Sequence, residues 1–180
     1  GKRIIGYIGT HGMAHKLDFI IRCAKNMEGK NNFHFLFIGS GAAKADLLKL
    51  KEELNVGNVT MLDSVPKTEV SNYISILDLS LINLKKSDLF KTVIPSKIFE
   101  NAGMEIPIIM GVEGEAQEII ENYGAGLCFE PENETDFNAK LNTLLNNTEL
   151  YDNCKKGCRQ LSIDFDRKKL AQKMLDIIES

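Results

Sequence analysis

The stretch that decides the fold is residues 2–27, which read KRIIGYIGTHGMAHKLDFIIRCAKNM. Its isoleucine-rich start ends at Gly9, which is typical of a buried β-strand that leads into a turn. Apolar residues then recur at helical spacing from Leu17 to Ala24, which predicts an amphipathic helix after the turn. We interpret this strand, glycine turn and helix as the first βα unit of the chain.

The same alternation continues outward from this unit over most of the chain. Strands are predicted at residues 2–8, 33–38, 58–62, 77–82, 106–110 and 126–129. Helices are predicted at residues 13–27, 42–54, 67–76, 95–103 and 115–122, with helices alone from residue 135 onward. Six βα units in sequence predict an α/β fold, a doubly wound, Rossmann-like, six-stranded parallel sheet with helices on both faces and extra C-terminal helices.

Composition and charge limit the class of protein. The 180 residues are 43% hydrophobic and 26% charged with a formal net charge of −3, which fits one soluble domain over residues 1–180. Nucleic-acid-binding domains usually carry a basic face, so this balance argues against that class. No apolar run approaches the roughly 20 residues that span a bilayer, and we interpret the first residues as a strand rather than a signal peptide. We therefore expect a cytoplasmic location.

The four cysteines do not form a recognisable metal-binding pattern. Only Cys154 and Cys158 are close in sequence, four residues apart. No other cysteine or histidine pair completes a set of ligands, so no metal is expected. Reduced cysteines are usual in cytosolic proteins.

Loops at the carboxyl ends of the strands are the place where a doubly wound sheet binds its ligand. These loops contain Gly9, Thr10, Gly12, Met13, His15 and Lys16, then Gly39 and Ser40, then Ser64 and Val65, and finally Pro95, Ser96, Lys97 and Glu100. Glycines let a backbone approach a ligand closely, and N–H groups at a helix start attract anions. Such turns also occur for purely structural reasons. No dinucleotide fingerprint, P-loop or G-x-S-x-G motif is present.

A later block is more specific, because residues 90–103 read FKTVIPSKIFENAG and are followed by IPII at 106–109 and GEAQEII at 114–120. Together with FIGSG, VTMLDSVPKTEV and AGLCFEPEN elsewhere, this block resembles the C-terminal, donor-binding domain of retaining GT-B glycosyltransferases of group one (family four). The branch that builds bacterial surface polysaccharides is the most similar, and the likeness covers nearly the whole chain.

The resemblance implies a function in sugar transfer. Enzymes of this family move a sugar from a nucleotide diphosphate sugar, here expected to be a UDP-sugar, to an acceptor hydroxyl, with no metal or other cofactor. The acceptor, a sugar or a lipid-linked sugar, would bind an N-terminal domain that is absent from this chain. The full-length enzyme could lie at the inner face of the membrane.

The resemblance also implies roles for single residues. Glu100 matches the second glutamate of the family's E-x₇-E motif, which hydrogen-bonds the ribose hydroxyls. Ser96 and Lys97 fall where the family binds the diphosphate and the donor sugar. The 63–65 loop matches the segment that recognises the base, and the 39–41 turn lies beside it.

Two positions depart from the family pattern. Thr92 stands where the first glutamate of E-x₇-E, which faces the donor sugar, is expected. Thr10 replaces the arginine of the first loop, and His15 and Lys16 lie where its lysine is expected. Lys16 and Lys97 are therefore the candidates for stabilising the leaving diphosphate, and no catalytic residue is assigned.

Two other functions are compatible with such a domain. One is a UDP-sugar 2-epimerase of the GT-B fold, against which the P-S-K-x-F-E block argues. The other is a non-catalytic nucleotide-binding or response-regulator-like module, but a phospho-acceptor needs acids after its early strands, where this chain has GTH and GSG. We expect the chain alone to bind UDP weakly, to be inactive, and to expose some apolar surface.

Overall fold

Six strands form one parallel sheet. The computed structural model describes residues 1–30 and 32–179. The strands are β1 (Arg3–Ile8), β2 (Phe33–Ile38), β3 (Val59–Leu62), β4 (Leu79–Asn83), β5 (Ile108–Gly111) and β6 (Gly126–Cys128). Their order across the sheet is β3-β2-β1-β4-β5-β6, and every neighbouring pair is parallel. The predicted doubly wound fold is confirmed, and the strand order reverses between β1 and β4. In doubly wound sheets the crevice at the carboxyl ends of such a switch point is where ligands bind.

Helices follow the strands as the alternation predicts. They are α1 (Leu17–Met27), α2 (Lys44–Glu53), α3 (Val70–Ile74), α4 (Lys97–Gly103), α5 (Glu115–Tyr123), α6 (Glu134–Asn146), α7 (Thr148–Asp164) and α8 (Arg167–Glu179), with 3₁₀ turns at Met13–His15 and Asp88–Phe90. The start of α6 is fixed by Asn133, whose side-chain oxygen accepts a hydrogen bond from the N–H of Asp136. Asn147 caps α7 through the N–H of Leu150 in the same way.

Helices cover both faces of the sheet because each strand presents alternate residues to opposite sides. Tyr7 and Phe37 point to the face that α1, α2 and α6 cover, in a core that also contains Phe137. Ile82 and Met110 point to the other face, where they pack with residues of α4, α5 and α7. Nearly continuous burial along β2 and β4 explains why these strands read as uninterrupted apolar runs.

The first predicted helix is divided in two, which changes the geometry of the loop after β1. Residues 13–15 form a 3₁₀ turn, Lys16 has the left-handed backbone conformation (φ 49°, ψ 41°), and α1 begins only at Leu17. The N–H groups at the start of α1 are therefore separated from Gly9 by a turn. The prediction of a continuous helix over residues 13–27 was wrong at this point.

Other boundaries differ by a few residues. The helix predicted from Pro95 begins at Lys97, with Ser96 as its N-cap residue. The helix predicted at 67–76 is reduced to the single short helix α3. The lysine-rich stretch after β4, which lacks periodicity, contains the second 3₁₀ turn and otherwise forms a loop.

The expected apolar surface is present on the last helix. Met174, Ile177 and Ile178 of α8 are exposed, as are Leu170 and Leu175. No helix among residues 1–30 and 32–179 is long and apolar enough to cross a membrane.

Candidate functional site

The crevice between β1 and β4 is built around a glycine and a lysine that lie 88 positions apart in sequence. Lys97, the first residue of α4, extends its side chain towards Gly9 at the end of β1. A β-carbon placed on Gly9 would lie 2.3 Å from both Cε and Nζ of Lys97. Because Gly9 also has a φ of 146°, a side chain here would strain the backbone and would displace the Lys97 amine.

The Lys97 ammonium lies in a half-buried and cationic environment. It stands 5.1 Å from the centre of the Tyr7 ring, and no carboxylate among the described residues comes within 4 Å of it. Burial lowers the pKa of Lys97, and the negative charge of Glu100 acts in the opposite direction. A positive charge without a close counter-ion can accept an anionic ligand without first breaking an ion pair.

The second candidate cation, Lys16, has a different environment. Its Nζ forms an ion pair with Asp18 at 2.9 Å. Together with Gly12 and Met13 it lines a groove of about 370 Å³ between α1 and α2. The structure therefore places these three predicted residues beside the groove, whereas Lys97 lies in the crevice.

A cleft at the ends of the first three strands brings together six of the predicted site residues. Its volume is about 230 Å³, and it is lined by Gly9, Thr10, Gly39, Ser40, Ser64 and Val65, with Ile8, Ile38 and Val70 as apolar walls. Lys44 of α2 joins two of these strand ends, because its Nζ donates hydrogen bonds to the carbonyls of Gly39 and Leu62 and to Asp63. These bonds hold the ends of β2 and β3 together.

Ser96 and Glu100 flank Lys97, Ser96 as the N-cap residue of α4 and Glu100 within the helix. Both side chains are exposed, and Ser96 makes no side-chain capping bond. Glu100 lines an adjoining cleft of about 470 Å³ with Lys67 and Arg167. Val70 lines both this cleft and the one at the strand ends, so the two are neighbours. Pro95 accepts a hydrogen bond from Ile98 through its carbonyl and turns the chain into α4.

His15 faces the crevice from the 3₁₀ turn. Its ring meets the Tyr7 ring edge-on at 5.7 Å between centroids. Burial lowers its pKa, the nearby Lys97 charge lowers it further, and a hydrogen bond to the Asn83 backbone partly opposes both. His15 is therefore predominantly neutral at neutral pH.

Sequence reasoning missed His11, the most deeply buried polar residue of the loop. It is fully buried, and neither ring nitrogen has a hydrogen-bond partner. Its backbone links the first two loops, because its N–H donates to Ser40 and its carbonyl accepts from Ala43. Burial lowers its pKa to about 4, and the positive charges of Lys44, His15 and Lys97 add to this. The motif GTHG marked the loop, but nothing in the sequence showed that this histidine turns inward.

Two further residues that support the crevice were also missed. Tyr7 is buried in the core of β1, and its hydroxyl donates to the carbonyl of Thr10 at 2.7 Å. Asn83 is buried at the end of β4 and donates to the carbonyl of His15 at 2.9 Å. Both bonds join a strand to the first loop. Tyr7 lies within a predicted strand and Asn83 directly after one, and neither position gave a sign of this role.

Metal ligands were not expected, and the described residues contain no group of three or more histidines, cysteines, aspartates or glutamates that could hold a metal ion. All four cysteines are free thiols. The positive charge close to Gly9 is the ammonium group of Lys97.

Comparison with known proteins identifies the family. Residues 1–161 match the family model of group 1 glycosyl transferases. The chain belongs to this family. This membership agrees with the resemblance seen in the P-S-K-x-F-E block and favours a transferase over an epimerase or a non-catalytic module.

One curated relative matches part of this glycosyl transferase domain. It is TuaH of Bacillus subtilis (strain 168), provisionally assigned as a teichuronic acid biosynthesis glycosyltransferase, and it is 28% identical over 106 residues. The match covers 59% of this chain and 26% of TuaH.

Solved glycosyltransferase structures share the fold. TarM of Staphylococcus aureus, in a complex that contains UDP, superposes with a TM-score of 0.82 at 20% identity, covering 99% of this chain and 36% of TarM. HepE of Anabaena, in complex with UDP and glucose, gives a TM-score of 0.83 at 14% identity, covering 99% of this chain and 48% of HepE. The chain thus spans between about a quarter and half of the length of these relatives.

Proposed function

We propose that this chain is the donor-binding domain of a retaining glycosyltransferase and that it binds a nucleotide diphosphate sugar, with UDP as the nucleotide. The observation that carries the proposal is the Lys97 ammonium, which lies against Gly9 in the switch-point crevice without a close carboxylate. Doubly wound sheets bind phosphorylated ligands in such crevices. Family membership and the UDP in two related structures support the choice of ligand.

The proposed site divides the donor among three regions. The diphosphate lies beside Lys97 and Gly9, with the N–H groups at the start of α4 close by. The base enters the cleft lined by Gly39, Ser40, Ser64 and Val65, and the ribose hydroxyls meet Glu100, whose carboxylate can accept two hydrogen bonds. Val70 borders the clefts that contain the two nucleoside subsites, so one nucleoside can reach both.

Lys97 takes the role that the absent arginine at Thr10 would have. Departure of a nucleoside diphosphate concentrates negative charge on the leaving oxygens, and a fixed cation in a partly desolvated site stabilises that charge. Lys16 is less suited to this role because it is paired with Asp18 beside the α1–α2 groove. No metal is required for this electrostatic role.

The acceptor and the rest of the catalytic machinery belong, in this proposal, to a second domain of the whole protein. The share of the relatives that this chain covers is consistent with that division. The acceptor is a sugar or a lipid-linked sugar of a surface polysaccharide, in keeping with the assignment of TuaH. The chain by itself then binds UDP without transferring sugar.

Calorimetric titration of UDP into the 180-residue chain tests this proposal. We expect weak binding, a loss of affinity of about tenfold or more in Lys97→Met, since a charge-assisted contact is worth about 1.5 to 3 kcal/mol, and a smaller loss in Glu100→Ala. Lys156→Met removes one positive charge from an exposed site on α7 and serves as the matched control.

Three results would count against the proposed site. They are no binding at millimolar UDP, unchanged affinity in both Lys97→Met and Glu100→Ala, and an equal loss in Lys156→Met. Titration in the presence of a chelator tests metal independence, for which we expect the same affinity.

A further inference from the structure

Tyr7 lies directly beneath the proposed diphosphate site, although it is a core residue of β1. Only 1% of its surface is exposed. Its ring lies beside three other aromatic rings, with centroid distances of 6.2 Å to Phe37, 5.7 Å to His15 and 5.9 Å to His11. A ring packed against three neighbours has little freedom to turn.

The group near that ring is the Lys97 ammonium, 5.1 Å from the ring centroid. Aromatic rings attract cations within about 6 Å of their centroid through the negative potential of the ring. Lysine side chains are otherwise flexible, and no carboxylate among the described residues lies within 4 Å to hold this one. The ring and the open space at Gly9 therefore determine where the charge lies.

The other end of Tyr7 holds the first loop. Its hydroxyl donates to the carbonyl of Thr10 at 2.7 Å. Thr10 is exposed and lines the cleft at the strand ends. Its neighbours Gly9 and His11 donate backbone hydrogen bonds to the second strand and its loop, and the Tyr7 bond adds a third attachment. One side chain thus contacts the cation on one wall of the crevice and the loop that forms the other wall.

We propose that Tyr7 is a positioning residue for donor binding, in which the ring places the Lys97 ammonium and the hydroxyl fixes the Thr10 backbone around the same diphosphate. This inference rests on the proposed function, because it assumes that Lys97 binds the diphosphate. It adds a residue that touches no ligand and acts through Lys97 and Thr10. The two ends of the side chain have separable effects.

Two variants separate these effects. Tyr7→Phe keeps the ring and removes the hydroxyl, and the lost hydrogen bond should weaken UDP binding by about two- to tenfold. Tyr7→Leu removes the ring as well and should weaken binding by about threefold to thirtyfold beyond the phenylalanine variant. Phe35→Leu is the matched control, because Phe35 is equally buried on the neighbouring strand and its ring packs against Phe137 rather than Tyr7.

A measurement on the free protein tests positioning without nucleotide. In a ¹H–¹³C correlation spectrum of the lysine Cε groups, ring-current shielding should displace the Lys97 signal upfield from the other lysines. The signal is assigned from its absence in Lys97→Met. The displacement should persist in Tyr7→Phe and Phe35→Leu and disappear in Tyr7→Leu.

The outcomes distinguish the two proposals. An undisplaced Lys97 signal in the unmodified protein, or one unchanged by Tyr7→Leu, overturns the positioning role. So does a loss of UDP affinity in Phe35→Leu as large as that in Tyr7→Leu, since general damage to the core would then suffice. If UDP does not bind at all, the proposed function fails, whereas the spectrum still decides whether Tyr7 places Lys97.

Discussion

The switch-point crevice and the groove between α1 and α2 each contain a lysine that the sequence predicted for phosphate binding. Both lysines are half-buried, but they have different neighbours. Lys97 lies near an aromatic face and against a glycine, and burial lowers its pKa. Lys16 has a left-handed backbone and an ion pair with Asp18. Lys16 is seven positions from Gly9 in sequence, yet it is Lys97 that touches Gly9.

The difference shows that the groups around a lysine, rather than its separation in sequence from Gly9, determine whether it can bind an anion. An exposed ion pair with Asp18 already satisfies Lys16 at little energetic cost. The ammonium of Lys97 is partly buried and has no carboxylate of the described residues within 4 Å, so an incoming diphosphate would be its first close anionic partner. Three changes test this contrast, in order of decreasing effect.

The largest effect is expected from Gly9→Ala. The added β-carbon would meet the Lys97 amine at 2.3 Å. The alanine would also have to adopt a φ of 146°, which residues with a side chain rarely do. We expect a loss of about 1 to 3 kcal/mol in the free energy of unfolding and at least about a tenfold loss of UDP affinity as the cation is displaced. Urea unfolding and calorimetry measure these two quantities.

Gly12→Ala is the matched control in the loop that borders the groove. Gly12 has a φ of −94°, and its added β-carbon would lie 3.5 Å from His15, which is an ordinary contact. We expect UDP affinity within about twofold of the unmodified protein. Equal losses in the two alanine variants would show that the crevice and the groove cannot be distinguished in this way.

An effect on stability alone is expected from acid, through the buried His11 of the first loop. Its pKa is 6.5 in the unfolded chain and about 4 in the folded protein. Between these values the unfolded state binds more protons, so the free energy of unfolding falls as the pH drops from about 6.5 to about 4, by at most about 3 kcal/mol. At pH above 6.5 the histidine is neutral in both states and contributes no such dependence.

Urea unfolding across this pH range measures the effect. His11→Leu should flatten the dependence, whereas His34→Gln should retain most of it, because His34 is only half-buried and is bonded to Thr60. An unchanged slope in His11→Leu would mean that the folded protein protonates His11 as readily as the unfolded chain does.

The smallest effect is expected from Lys16→Met. The lost ion pair with Asp18 is a surface interaction, worth about 0 to 1 kcal/mol. UDP affinity should change by less than about twofold, compared with the large loss expected in Lys97→Met. The reverse order of the two lysines, measured by calorimetry, would transfer the diphosphate role from the crevice to the groove.

Much of the fold could be predicted from the sequence because it depends on local patterns. The apolar runs and helical spacing predicted the strands and most helices, and the alternation of the two predicted the doubly wound sheet. The P-S-K-x-F-E block predicted the family, which residues 1–161 confirm. The break at Lys16 was missed, because MAHKLD carries no glycine or proline to mark a change of backbone conformation.

The candidate site was predicted only in part, for a similar reason. The glycine and serine turns after β1, β2 and β3 were named, and the structure brings them into one cleft. The inward turn of His11 and the placement of Lys97 near Tyr7 depend on contacts between strands that are distant in sequence. No local pattern records such contacts.

The sequence by itself determined which elements form, which family the chain belongs to and which loops meet at the carboxyl ends of the strands, since these depend on periodicity and on short motifs. Only the tertiary structure decided which lysine meets Gly9. The reversal of strand order between β1 and β4 brings α4 next to the first loop, and the buried Tyr7 ring lies next to the charge that arrives there. Proximity of that kind is produced by packing across the sheet rather than by neighbours along the chain.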